Sequence, residues 1–126
     1  MSQYESGVCN IGPEEIARRR MSGHVGTAAS VGLVALLIGT NAPRWSRLVV
    51  ALPAAVAAGG YLQARAHFCA GFGARGQYNF GPVGPTEQVT DADDRARDAR
   101  TSRRIQSQSL AVGLAVAAAA IALPRR

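Results

Sequence analysis

An all-α membrane protein with three transmembrane helices is predicted by three long uncharged runs, Met21 to Pro43, Leu48 to Ala64 and Ile105 to Pro124, in a chain of 126 residues. A second observation agrees: all 14 basic residues are arginine, and they cluster at the edges of these runs rather than inside them. A bilayer core about 30 Å thick takes about 20 mostly apolar residues of helix, which places the spans at about 22–42, 46–66 and 106–124. With so much of the chain in spans, one membrane domain covering residues 1–126 is expected, without a separate water-soluble core.

Ahead of the first span, Pro13, Glu14 and Glu15 are followed by Arg18, Arg19 and Arg20. This is the charge order of a short helix at the interface, acidic in its first turn and basic in its last. No apolar run precedes it, so a cleaved leader is not expected. The first span then runs uninterrupted to Pro43. The second is shorter; Trp45 suits the headgroup belt at one end, and Arg65 and His67 can reach the interface at the other. Pro53 lies inside it and cannot donate to the Val49 carbonyl, which predicts a kink or a local opening. The third is the weakest, because Leu110 to Leu123 is mostly alanine, and Ile105 to Ser109 must supply the missing turn.

The segment 67–105 reads as a cytoplasmic loop. Its first part, Gly71 to Pro85, is rich in glycine and proline and predicts turns with no regular element. Thr90 offers an N-cap with Asp93 three residues on. Asp91/Arg95 and Asp93/Arg97 are spaced i to i+4, so a solvated helix should begin there and feed directly into the third span.

Ten arginines flank the spans on the side of the N-terminus and the long loop, against four on the other side (Arg44, Arg47, Arg125 and Arg126). The positive-inside rule therefore predicts a multi-pass plasma-membrane protein with a cytoplasmic N-terminus. A net charge of +6 raises the question of nucleic acid, but the basic segment lacks stacking aromatics and interleaves its arginines with aspartates. Anionic lipid headgroups are the expected partner of that charge, and no nucleic acid is expected. Small residues at four-residue spacing, Gly26/Ser30, Ala28/Gly32, Ala55/Gly59 and Gly113/Ala117, suit close helix packing within the chain, with another copy or with a membrane-protein partner.

Four residues carry reactive or ligating side chains: Cys9, His24, His67 and Cys69, all expected at the cytoplasmic face. Two thiolates and two imidazoles are enough for a tetrahedral metal site, although their spacing matches no zinc module; Cys69 and Cys9 are also the thiol candidates. No nucleotide loop, nucleophile elbow or paired CxxC occurs, so the reading leans away from an enzyme and no cofactor is expected. A channel or transporter lacks the mid-membrane charged residue that coupling usually requires. Two readings stay open: a non-enzymatic accessory or scaffold subunit, and a membrane-surface handler of thiols, sulfur or metal through Cys69 and Cys9.

Asn10-Ile11-Gly12, then Glu14 or Glu15, Arg18 to Arg20, Gly23 opening a span, and after a second span Phe68-Cys69 and Gly76-Gln77-Tyr78-Asn79 form an ordered set. Across about residues 9–80 it resembles a small bacterial inner-membrane family of unknown function that also forms the membrane segment of YgaP-type rhodanese sulfurtransferases. The chain has Ala70 where that pattern has proline and Phe72 where it has tyrosine, and the third span lies beyond the pattern. The resemblance implies a paired-helix membrane unit with Cys69 at the cytoplasmic end of its second helix.

Overall fold

The computed structural model describes residues 4–124. In chain order it contains α1 (Pro13–Gly39), a 3-10 helix (Arg44–Val50), α2 (Ala51–Ala66), α3 (Ala70–Arg75), β1 (Gln77–Tyr78), β2 (Glu87–Gln88) and α4 (Ala92–Ala122). Three stretches, Pro13–Gly39, Arg44–Ala66 and Ala92–Ala122, are long and apolar enough to cross a membrane. Among the described residues the fold is all-α apart from one two-residue antiparallel pair, Gln77 with Gln88 and Tyr78 with Glu87, and the isolated bridges Glu5–Cys9 and Ile11–Asn79.

At 1.5 Å per residue α1 is about 40 Å long, more than a bilayer core requires. Pro13 starts it and Glu14 and Glu15 occupy its first turn. Nothing breaks the helix after Arg20, so the segment expected as a separate interfacial helix is the first turns of α1 itself. α2 alone is only about 24 Å long, and the preceding 3-10 helix extends it to a spanning length. The irregularity expected from Pro53 takes the form of this change of helix type at Val50/Ala51. Pro53 then falls in the first turn of α2, where helical N–H groups lack intrahelical acceptors anyway.

α2 is the middle helix, packed on α1 along one side and on α4 along the other. Glycine sets both approaches. A Cβ on Gly60 would lie 2.5 Å from the Gly23 nitrogen, and one on Gly26 would lie 2.6 Å from the Ala57 nitrogen. Across the other contact, a Cβ on Gly113 would lie 2.6 Å from the Ala51 carbonyl oxygen. Backbone contact this close is the lipid-phase substitute for hydrophobic burial, because lipid tails are as apolar as the side chains they replace. The outward faces carry Val25, Val31 and Leu36 on α1, Leu52 and Val56 on α2, and Leu110 and Leu114 on α4, all more than half exposed. In water that would be a large apolar patch; around a bundle of this length it is a lipid-facing belt.

α4 is one helix of 31 residues, so the arginine-rich segment does feed directly into the third span. Its cap is Asp91 rather than Thr90: Asp91 Oδ1 accepts from the Asp93 nitrogen at 2.8 Å and the Asp94 nitrogen at 3.1 Å. With the Asp91 carboxylate used in this way, the ion pair that forms is Asp94–Arg97 at 3.0 Å, spaced i to i+3 in place of the expected i to i+4 pairs. Buried positions Ser102, Ile105, Ser109, Gly113, Ala117 and Ala120 recur every three or four residues, tracing one face turned toward the rest of the molecule. The glycine-rich stretch also departs from expectation, because it contains α3 and β1. Tertiary contact explains this: a side chain on Gly73 would collide with the Ser102 hydroxyl and the Phe68 ring, so glycine is what lets α3 lie against α4.

Candidate functional site

At the end of the bundle where α1 begins and α2 ends, a polar cap brings distant segments together. Its organiser is Asn10, fully buried. The Asn10 side chain treats Cys69 as a strand neighbour would: Oδ1 accepts from the Cys69 nitrogen at 2.6 Å, and Nδ2 donates to the Cys69 carbonyl at 3.1 Å. The Asn10 backbone nitrogen donates to the His67 carbonyl at 3.1 Å, and its carbonyl accepts from the Asn79 nitrogen at 3.0 Å. The Gly12 nitrogen then donates to the Asn79 carbonyl at 2.9 Å. A Cβ on Gly12 would lie 2.7 Å from the Phe80 carbonyl oxygen, so the chain passes here only as glycine.

Within this frame lies Cys69, 4% exposed. Its sulfur caps α3 by accepting from the Phe72 nitrogen at 3.4 Å, and it accepts from Arg19 Nη2 at 2.9 Å. Arg19 is held in turn by Glu15, whose Oε1 is 3.5 Å from Nη1 and whose side chain is 1% exposed. Asn79 Nδ2 donates to the other carboxylate oxygen of Glu15 at 3.0 Å. Arg19 and Arg75 both lie over the Phe72 ring, at 5.6 and 6.0 Å. The result is a buried carboxylate, guanidinium and thiol in series, with two N–H donors aimed at one sulfur. The Cys69 sulfur thus sits in the interior of the cap, with Arg19 and Phe72 against it.

The four sequence candidates separate. Cys9 and Cys69 are both free thiols. Cys9 is half-buried and directs its thiol at the Ile11 carbonyl at 3.8 Å; burial, reinforced by the charge of Glu5, pushes its pKa up. His24 sits on the α1–α2 face with Nδ1 2.7 Å from the Tyr61 hydroxyl. His67 is exposed and adopts a left-handed conformation, φ 55°, that ends α2. Among the described residues no three His, Cys, Asp or Glu side chains are grouped as a metal ion needs, so the four do not assemble into the tetrahedral set.

Other buried polar residues were not singled out by the sequence reading. Asp98, fully buried on α4, accepts from the Tyr4 hydroxyl at 2.6 Å and the Gly7 nitrogen at 2.7 Å, and Thr101 donates to the Gly7 carbonyl at 2.8 Å. These bonds tie the N-terminal strap, residues 4–12, to α4. Tyr4 also stacks on Tyr78 at 5.0 Å, and its pKa is raised by burial and by the Asp98 carboxylate. At the opposite end of the bundle Arg47, 1% exposed, donates through Nη1 to the carbonyls of Ala120 and Leu123, both at 2.7 Å, and so caps the C-terminus of α4. For Asp98 the sequence carried no signal; for Arg47 the signal pointed elsewhere, to a free loop charge.

Comparison with protein-family models, with curated proteins and with solved structures gives no match.

Proposed function

We propose that this protein is a multi-pass accessory or scaffold subunit of a bacterial inner membrane, with its N-terminus and polar cap in the cytoplasm. One observation carries the reading. Of the four small-residue pairs, Gly26/Ser30 packs on α2, and Ala55/Gly59 and Gly113/Ala117 pack across the α2–α4 contact. Ala28/Gly32 has no such neighbour: both residues are exposed, and a Cβ on Gly32 would meet nothing within 4 Å. A smooth helix face left open beside a bundle that uses the same device internally suits a further membrane helix, from a partner or a second copy. Replacing Gly32 by leucine should remove a copurifying membrane protein or dissociate a homo-oligomer in mild detergent, with the monomer fold intact. If Gly32→Leu leaves every association unchanged, the accessory reading loses its basis.

The orientation draws support from the positions of the arginines. Arg18, Arg20, Arg65, Arg103 and Arg104 all lie at the polar-cap end, while Arg47 at the other end is buried in helix capping. That leaves Arg44 as the solvent-exposed cation there among the described residues; Arg125 and Arg126 lie outside them.

A second reading, sulfur or thiol handling at Cys69, is favoured by the contact between Arg19 and its sulfur. It accords with the proposed kinship to the membrane segment of YgaP-type proteins. Under this reading Cys69 accepts a label from a small persulfide donor, and Arg19→Met abolishes the labelling without unfolding the protein. Labelling of Cys9 alone would reject it.

A further inference from the structure

The geometry points to a binding site for the phosphate of an anionic phospholipid in the groove between α2 and α4, held by Arg65 and Arg104. The groove is lined by Leu62, Arg65 and Ala66 from the last turns of α2 and by Arg104, Ile105 and Gln108 from α4. Arg65 and Arg104 are exposed at its rim, while Ile105 is 4% exposed beneath them. A second groove shares Arg104 and continues along α4, past Thr101 and Arg100 to Arg97, where Ser6 and Gly7 of the N-terminal strap form the opposite wall.

Helical spacing explains how these residues come to share one surface. Arg97, Arg100, Arg104 and Gln108 follow one another at three- or four-residue intervals, so they form a single stripe, with Arg97 and Arg104 about 10 Å apart along the axis. Among the described residues, Arg65, Arg100 and Arg104 form no ion pair; Arg97 does, with Asp94. The acidic residue that shares the stripe, Asp94, is engaged by Arg97 at its far end, and Asp98 is buried and committed to Tyr4 and Gly7.

Depth decides what kind of anion the groove takes. Arg65 ends the apolar run of α2, and Arg104 immediately precedes the apolar run of α4, so both stand at the level where headgroup phosphates lie. Below them the partly exposed Leu62, backed by the buried Ile105, offers an apolar surface against which an acyl chain can lie. A soluble phosphate has no use for that surface. A phospholipid uses both parts, its phosphate between the two guanidiniums and its chains along the helices. The inference rests on the membrane embedding of the bundle and is independent of any partner on the Ala28/Gly32 face.

The test is native mass spectrometry of the full chain in mild detergent, titrated with phosphatidylglycerol or phosphatidylcholine. Phosphatidylglycerol should be retained preferentially. Arg65→Gln and Arg104→Gln should each weaken its retention about fivefold, and together about thirtyfold, as expected for two interfacial cations acting additively. Arg65→Lys/Arg104→Lys should restore most of the retention, which separates loss of charge from loss of fold. Arg20→Gln, which removes an arginine of the same collar outside the groove, should change retention less than twofold, well short of the roughly fivefold loss from one groove cation. Equal retention of both lipids, or a double glutamine variant that behaves like Arg20→Gln, would overturn the assignment. So would displacement of the lipid by millimolar inorganic phosphate, which would mark a soluble-phosphate site instead.

Discussion

Asn10 shows how much of the cap depends on single side chains. Its amide supplies a donor and an acceptor to the buried backbone of Cys69, so Asn10→Ala leaves a buried N–H and a buried C=O unpaired. The expected loss is about 2–4 kcal/mol, from two net hydrogen bonds and the desolvation of their orphaned partners. Chemical unfolding in detergent, followed by circular dichroism, checks it, and a change below about 1 kcal/mol, the net worth of one hydrogen bond, would show that water replaces the amide. The thiols differ at the same scale. Because burial raises the Cys9 pKa, its reactive thiolate is scarce at neutral pH and accumulates only as pH climbs past the ordinary thiol range. In a Cys69→Ser background, iodoacetamide should therefore label Cys9 more slowly than a free model thiol at pH 8, with the gap closing at higher pH. Labelling as fast as the model thiol at pH 8 would contradict the burial of Cys9.

At the scale of elements, the third helix is the informative case. Composition alone made it the weakest span, yet its small residues are what seat it on α2. Gly113 faces the Ala51 carbonyl and Ala118 faces outward, so Gly113→Leu should disrupt assembly far more than Ala118→Leu. Overfilling a packed contact costs about 1–3 kcal/mol, and more where the obstacle is backbone. Equal thermal stability of the two variants would mean that the α2–α4 contact is not the one described. The sequence did expose Gly113/Ala117 as a small pair, but it equally proposed Ala28/Gly32, which the chain leaves open. It passed over a second tight α1–α2 approach, Gly23 against Gly60. Spacing identifies a smooth face; what covers that face depends on where another helix lies.

For the whole molecule, the proposed orientation makes a direct prediction. In a background lacking Cys9 and Cys69, an impermeant thiol reagent added to intact cells should label Ser46→Cys and should reach Val83→Cys only after permeabilisation. The opposite pattern would place the polar cap outside. Arg47 links the start of the second span to the end of the third, and Asp98 links the N-terminal strap to the start of the same helix. α4 is thus fastened at both ends by segments more than 70 positions away in the chain.

The sequence by itself determined that three helices are long and apolar enough to span a bilayer, and that an arginine-rich helix runs into the third. Those properties follow from composition and period over twenty or so residues, where local chemistry suffices. It also held the ordered set Asn10, Gly12, Glu14 or Glu15, Arg18 to Arg20, Cys69 and Asn79, but only the tertiary structure selected Glu15 and Arg19 from it and brought them to Cys69. Asn10 and Asn79 act across sequence separations that no local pattern encodes, and the carboxylate, guanidinium and thiol series exists because α1 passes the end of α2. The same distinction explains the misplaced elements. Glycine and proline between Gly71 and Pro85 argue for turns when only neighbours are considered. Packing against Ser102 and Phe68 turns Gly73 from a helix breaker into the residue that admits a helix.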